Sequence, residues 1–312
     1  APGVRRRRGG TSGLQVSRLG LGTRTWGAAT DPDAAAAQLA AFVEVGGNLV
    51  ETADCYAGGA ALDVLGSVLR KVVRRDDLVI AARAEAGSRA YGSGAGRGAL
   101  LGGLDAMLRR LGTDYLDIWQ LPGWDSEVPL DETLAAAATA VSSGRVRYTG
   151  LSGPSGWQLA TVAERARAAW PAAVPTAVHA EYSLLERGIE GELLDAARHH
   201  GVGLLAWAPL GRGVLTGKYA GGSQATVPTD PWVTARCTER SGRIVQAVLT
   251  AADGLGTSPL AVALAWVRDH PAVAAAVVGA RDVTQLAGLL ATEAVTLPDA
   301  IRAALDDVSS AT

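Results

Sequence analysis

Short apolar runs of strand length alternate along the chain with longer amphipathic segments. Eight such runs stand out: Ser17–Thr23, Asn48–Ala53, Leu78–Arg83, Tyr115–Leu121, Val146–Ser152, Thr176–Tyr182, Val202–Ala208 and Val273–Gly279. Each is apolar continuously rather than at every second position, the pattern of parallel strands buried on both faces. Between them, apolar residues recur with a period near 3.6, which predicts helices that bury one side. Punctuation supports the helices. Asp31 stands before Pro32, and that segment closes on Gly46. A second helix is expected to open at Asp131 and end at Gly144, a third ends at Gly201, and a fourth starts at Ser258–Pro259 and stops before Pro271. A short polar cap, proline at the first helical position and glycine past the end are the usual signals.

Repeated strand–helix units in a chain of 312 residues predict an α/β protein, a (β/α)8 TIM barrel forming one domain over residues 1–312. An open, doubly wound sheet is the competing architecture. Before the first barrel strand, "GVRRRRGGTSGLQVS" predicts an N-terminal β-hairpin that turns at Gly9–Gly10 or Ser12–Gly13. The longest irregular stretch, Gly221–Cys237, follows the seventh strand, and long loops in compact domains tend to be functional.

Composition narrows the function classes. The formal net charge is −2, which calls for neither a nucleic acid nor an acidic membrane surface. The run Arg5–Arg8 reads as a solvated arm, because no second basic cluster supports it. No apolar run reaches the roughly 18 residues that span a bilayer. Two distant cysteines, Cys55 and Cys237, make no disulfide framework and point to a reduced, cytoplasmic protein. The expected partner is a small-molecule substrate. Histidine spacing offers no metal site.

Barrel enzymes carry their chemistry at the C-terminal ends of the strands. There the sequence sets Glu51, Asp54 and Tyr56 after the second strand and Arg83 after the third. A Glu51–Arg83 ion pair is expected, and an arginine near a phenol stabilises phenolate, so Arg83 is expected to lower the pKa of Tyr56. Tyr56 would then exchange a proton nearer neutral pH. A structural salt bridge beside a hydrogen-bonded tyrosine is the plainer alternative. In "LAWAPLGRGVLTGKY", Trp207 ends a strand, and a glycine-rich loop follows with Arg212 and Lys218. Backbone amides with a cation suit a phosphate or diphosphate, and Trp207 suits a flat ring; an ordinary loop beside a core tryptophan reads the same way. Gly279 with Arg281, ahead of Asp282, is a weaker version of that pattern. His179 lies on a strand and could face the barrel interior, where a lone histidine is more often a satisfied core residue than a ligand.

Taken in order, "SGLQVSRLGLGTRTWG", "NLVETADCY", "YLDIWQLPGWD", "GRVRYTGLSG", "AEYSLLER", "APLGRGVLTGKY" and "VVGARDVTQL" resemble the aldo-keto reductase superfamily over nearly the whole chain. The resemblance implies a (β/α)8 barrel that binds NADPH in extended form, passes hydride to a carbonyl and takes the proton from a tyrosine tuned by an Asp–Lys pair, with a histidine orienting the carbonyl. It sets that tyrosine on Tyr56, the aspartate on Glu51, the lysine on Arg83 and the histidine on Pro122, so three of four catalytic positions differ. Two of the changes keep charge, although arginine cannot share its proton as lysine does. Pro122 brings no polar side chain at all. The resemblance also sets Trp207 against nicotinamide, Ser152, Gly153 and His179 at the carboxamide, and Leu210, Gly211 and Lys218 at the diphosphate. Gly279, Arg281 and Gln285 fall at the adenosine end, where a usual Glu-Asn pair becomes Gly288 and Leu289.

The expected function is therefore NADPH-dependent reduction of a carbonyl, imine or conjugated alkene in specialised metabolism. A non-redox dehydratase, cyclase or isomerase on the same barrel, with weakened or lost cofactor binding, is the alternative. A catalytically silent binding subunit is a third reading, with no positive signal behind it.

Overall fold

The apolar runs become eight parallel strands because each presents side chains to both an inner and an outer core. A computed structural model of the protein describes residues 3–85, 94–220 and 228–310. The chain starts with strands β1 (Arg6–Arg8) and β2 (Gln15–Ser17), an antiparallel pair. It continues through β3 (Leu19–Gly22), α1 (Pro32–Glu44), β4 (Leu49–Ala53), α2 (Ala60–Val72), β5 (Val79–Arg83), α3 (Arg97–Leu111), β6 (Leu116–Leu121) and α4 (Leu130–Ser142). Then come β7 (Val146–Ser152), α5 (Gly156–Ala169), β8 (Pro175–Glu181), α6 (Glu192–His200) and β9 (Gly203–Trp207). Helices α7 (Pro231–Thr234), α8 (Glu239–Leu255) and α9 (Pro259–Arg268) precede β10 (Val273–Val278), α10 (Val283–Ala291) and α11 (Asp299–Ser309). Strands β3 to β10 close in sequence order, β10 pairing with β3. The barrel and its N-terminal hairpin are thus as expected, and the open sheet is excluded.

Local signals hold the helices where the sequence put them, with one shift. The Asp31 carboxylate accepts from the Ala34 amide at 2.8 Å, and Ser258 caps α9. Helix α4, expected to open at Asp131, begins at Leu130 after Pro129. Proline already holds the backbone near helical φ, so the helix takes up early and Asp131 falls in its first turn. There its carboxylate suits the helix dipole and accepts from Arg165 of α5 at 2.7 Å. Of the stretch Gly221–Cys237, residues 221–227 lie outside the described residues; Asp230 caps α7 in the remainder. Among the described residues no single helix is long and apolar enough to cross a membrane.

The hairpin closes the barrel's lower end. Leu14 and the fully buried Val16 join the inner core formed by Leu49, Val79, Ala81, Ile118 and Ala177. Asn48 ties the hairpin to β4: its Oδ1 accepts from the Ser17 amide at 2.7 Å and its Nδ2 donates to the Gln15 carbonyl at 3.0 Å.

Inward side chains of such a barrel stack in layers of four, drawn from alternate strands. The registers define them. Glu51 pairs with Ala81 and Ala81 with Ile118; the barrel's stagger then brings Gln120, one inward position further on, level with Glu51. Continued around, the same step places Glu51 (β4), Gln120 (β6), His179 (β8) and Val277 (β10) in one layer. A close approach of His179 Nε2 to Glu51 Oε1, 3.7 Å across the barrel, agrees with that assignment. Arg83, Ser152, Trp207 and Gly22 form the layer above, at the mouth.

Candidate active site

Strand β4 ends at Ala53, and a tight turn returns the chain over its own end. Ala57 and Gly58 both adopt left-handed backbone, with φ of 51° and 63°. For alanine that conformation is costly, and the local fold must impose it. The turn drops the Tyr56 ring onto the strand just left, so that its hydroxyl donates to Glu51 Oε1 at 3.0 Å.

Glu51 is only 2% exposed. Burial disfavours its charge and pushes its pKa up to about 7, against the lowering effects of the Tyr56 hydroxyl and Arg83. Tyr56 is pushed well above the ordinary phenol range by burial and by the nearby Glu51 charge, with Arg83 opposing. Burial drives His179 down to about 3, helped by Arg83, so its imidazole is neutral at physiological pH. The mouth therefore holds a neutral imidazole, a protonated phenol and a carboxyl poised between its two forms.

Arg83 corrects two expectations. Its guanidinium pairs with Glu85, not with Glu51, and its Nη2 lies 3.5 Å from Cys55 Sγ. The physical reason is depth: Arg83 stands one layer above Glu51, within reach of a carboxylate that stays in water. Its charge, 5.6 Å from the Tyr56 ring centroid, does act downward on the Tyr56 pKa, but burial and Glu51 outweigh it. Cys55 as a residue is exposed, but its sulfur lies between Glu85 and Arg83, and partial desolvation there pushes the thiol up to about 11, so it is no ready nucleophile.

Tyr56, Glu51, Arg83 and His179 thus converge. Ser152 and Trp207 share the mouth layer with Arg83, and the Trp207 ring lies 6.3 Å from that of His179. Beyond Trp207, Ala208, Gly211, Arg212, Gly213 and Gly217 all have positive φ, which curls the loop back on itself, the Gly211 and Gly213 amides donating to the Ala208 and Leu210 carbonyls. Leu210 packs against the core. At Gly211, with φ of 55°, a side chain would be strained, and its Cβ, 2.6 Å from Leu185 Cδ1, would displace that atom. Lys218 folds back over Gly213, where a Cβ would meet its Nζ at 2.7 Å. Arg212, expected to serve a phosphate, is instead paired with Asp230 at 2.9 Å and stacked over Trp232. At the far end, Gly279 and Arg281 are exposed, and the Gln285 side chain accepts from the Arg281 amide at 3.1 Å.

Gln120 escaped the sequence reading. It is fully buried, and among the described residues neither amide atom has a hydrogen-bond partner. Its signal was a lone amide inside the apolar run "YLDIWQL", two positions before Pro122 and on the same inward face. At the rim, Trp124 and Trp157 are the exposed tryptophans and pack together, ring centroids 4.9 Å apart.

Comparison with known proteins gives a family match and a relative. A family model described as "Aldo/keto reductase family" matches residues 18–310. A Bacillus subtilis (strain 168) protein described as "Uncharacterized oxidoreductase YrpG" is 32% identical over 310 residues, covering 96% of this chain and 94% of that protein.

Proposed function

The chain belongs to the aldo/keto reductase family, and from that premise we propose that it is an NADPH-dependent oxidoreductase reducing a carbonyl, imine or conjugated alkene of a small cytoplasmic metabolite, in specialised metabolism. The observation that carries this reading is the Tyr56 hydroxyl held on Glu51 at 3.0 Å with the Arg83 charge over its ring. That is a proton donor with its base and a cation, set at the C-terminal mouth where barrels do their chemistry.

The residues present fit the cofactor. A half-exposed Trp207 offers a face for a flat ring, and Ser152 with the unpartnered His179 nitrogens offers donors and acceptors for a carboxamide. The curled loop through Leu210 and Gly211, with Lys218, suits a diphosphate, and Gly279, Arg281 and Gln285 form the adenosine end, Arg281 favouring a 2′-phosphate. When bound, NADPH supplies the hydride. Tyr56 Oη supplies the proton to the reduced group, and Arg83 stabilises the phenolate left behind. Pro122 contributes no donor to the substrate, so reduction leans on Tyr56 alone. That favours targets activated by conjugation or by prior protonation over simple aldehydes.

A second reading has its own support. Glu51 exchanges a proton near neutral pH beside the Tyr56 hydroxyl, an acid/base arrangement that can run a dehydration, cyclisation or isomerisation without hydride. Titration with NADPH, followed by tryptophan fluorescence, separates the two. The expected result is saturable quenching with micromolar affinity that is lost in Trp207→Phe; absence of binding at millimolar NADPH or NADH sinks the reductase reading in favour of the second.

A further inference from the structure

We propose that Glu51, Gln120 and His179 form one proton-holding layer beneath the mouth, in which the Gln120 amide is a positioning residue that donates to Glu51 once it has become a carboxylate. This rests on the reading of Tyr56 as the proton donor.

Geometry carries the argument. These three residues come from alternate strands and occupy three of the four places in one barrel layer, with Val277 in the fourth. All three polar side chains are at most 3% exposed. Leaving a buried polar group unpaired costs about 1–3 kcal/mol, a cost that leucine or methionine at position 120 would avoid. An amide does what those cannot: its N–H donates to a carboxylate.

The groups that act on Glu51 are Tyr56 from the turn after β4, Arg83 from β5 and His179 from β8; Gln120 of β6 shares its layer, with an amide that is unbonded among the described residues and so free to turn to it. Val277 of β10 brings no charge, and Gly22 of β3 no side chain. Once Tyr56 has released its proton, the O–H bond of the Glu51 acid breaks and the O–H bond of Tyr56 re-forms across 3.0 Å. Glu51 is left as a carboxylate with almost no water around it. It then needs donors, and the layer holds two: His179 Nε2–H, 3.7 Å away, and the Gln120 amide. Solvent returns the proton through the mouth after product leaves. Glu51 poised near neutrality is consistent with a group that passes between both forms in each cycle.

The test follows the Glu51 side-chain carbonyl by 13C NMR in the full-length protein, assigned by its loss in Glu51→Gln. Gln120→Met keeps length and volume but removes the amide. The carboxylate then loses a donor, and the Glu51 midpoint is expected to rise by about one pH unit, a tenfold change in its ionisation constant. The alkaline limb of the kcat–pH profile, where Glu51 has lost the proton it must give to Tyr56, should move with it. His179→Gln, which keeps a donor on β8, should shift the midpoint less. An unchanged midpoint in Gln120→Met overturns the proposal, as does a shifted midpoint with an unmoved kcat profile. Should Gln120→Met fail to fold, Gln120→Asn withdraws the amide by one methylene; an intermediate rise is expected, and an unchanged midpoint again overturns it. The NMR titration needs neither cofactor nor substrate, so a protein that does not bind NADPH but shows the shift would lose the reductase reading and keep the layer.

Discussion

Tyr56→Phe is expected to lower kcat by about a hundredfold to ten-thousandfold, the usual contribution of a positioned acid. The variant keeps the ring under Arg83 and the packing of the turn, and removes only the oxygen that reaches Glu51. NADPH affinity should stay within about twofold, because nothing at Trp207 or along the 208–218 loop touches that oxygen; a loss confined to kcat is the signature of a transition-state role. A second effect follows from the hydrogen bond. The Tyr56 hydroxyl helps hold the Glu51 carboxylate, so its removal should raise the Glu51 pKa further. Steady-state kinetics beside a fluorescence titration would check both. Full activity in the variant would remove Tyr56 as the acid under either proposed function.

Glu51→Gln should make the protein more stable at pH 8, by up to about 3 kcal/mol. The sign comes from burial. In the folded protein Glu51 titrates near 7 against an ordinary 4.5, so the folded state holds its proton more tightly than the unfolded chain does. That contribution is fully present below pH 4.5, falls away between 4.5 and 7, and is gone above. His179 works oppositely: its value falls from 6.5 to about 3, so its contribution is present above pH 6.5 and is lost as pH drops toward 3. In the wild type the two slopes offset each other between pH 4.5 and 6.5, giving a plateau. In Glu51→Gln only the histidine slope remains, and stability should climb steadily from pH 3 to 6.5. Urea unfolding at pH 5 and pH 8 reads this directly. A variant less stable than wild type at pH 8 would show that the charged carboxylate contributes to the fold.

The barrel was legible in the sequence because each of its strands is buried on both faces, and a run such as Val273–Gly279 has no other reading between two helical patterns. Residues at strand ends were legible too, since chain position alone puts Glu51, Arg83, His179 and Trp207 near one rim. Pairings were not. Arg83 chose Glu85 over Glu51 because depth in the barrel, not strand adjacency, decides reach, and depth depends on the stagger of all the strands together. The same stagger hid Gln120. Its position 69 residues after Glu51 says nothing of a shared layer until the sheet is closed. Asp131 lost the cap position to Pro129, two residues earlier, a competition between two start signals that propensity does not rank.

The hairpin stopper has a consequence for timing. Leu14 and Val16 seal one end of the barrel, so the buried layer communicates with solvent through the mouth. Whatever occupies the mouth during turnover also covers that opening. For the lifetime of the bound complex the layer then behaves as an isolated compartment with a fixed complement of exchangeable hydrogen. Bulk pH sets that complement before ligand arrives and does not change it until ligand leaves. In a rapid pH-jump, free protein would respond at once, and liganded protein only at the rate of dissociation.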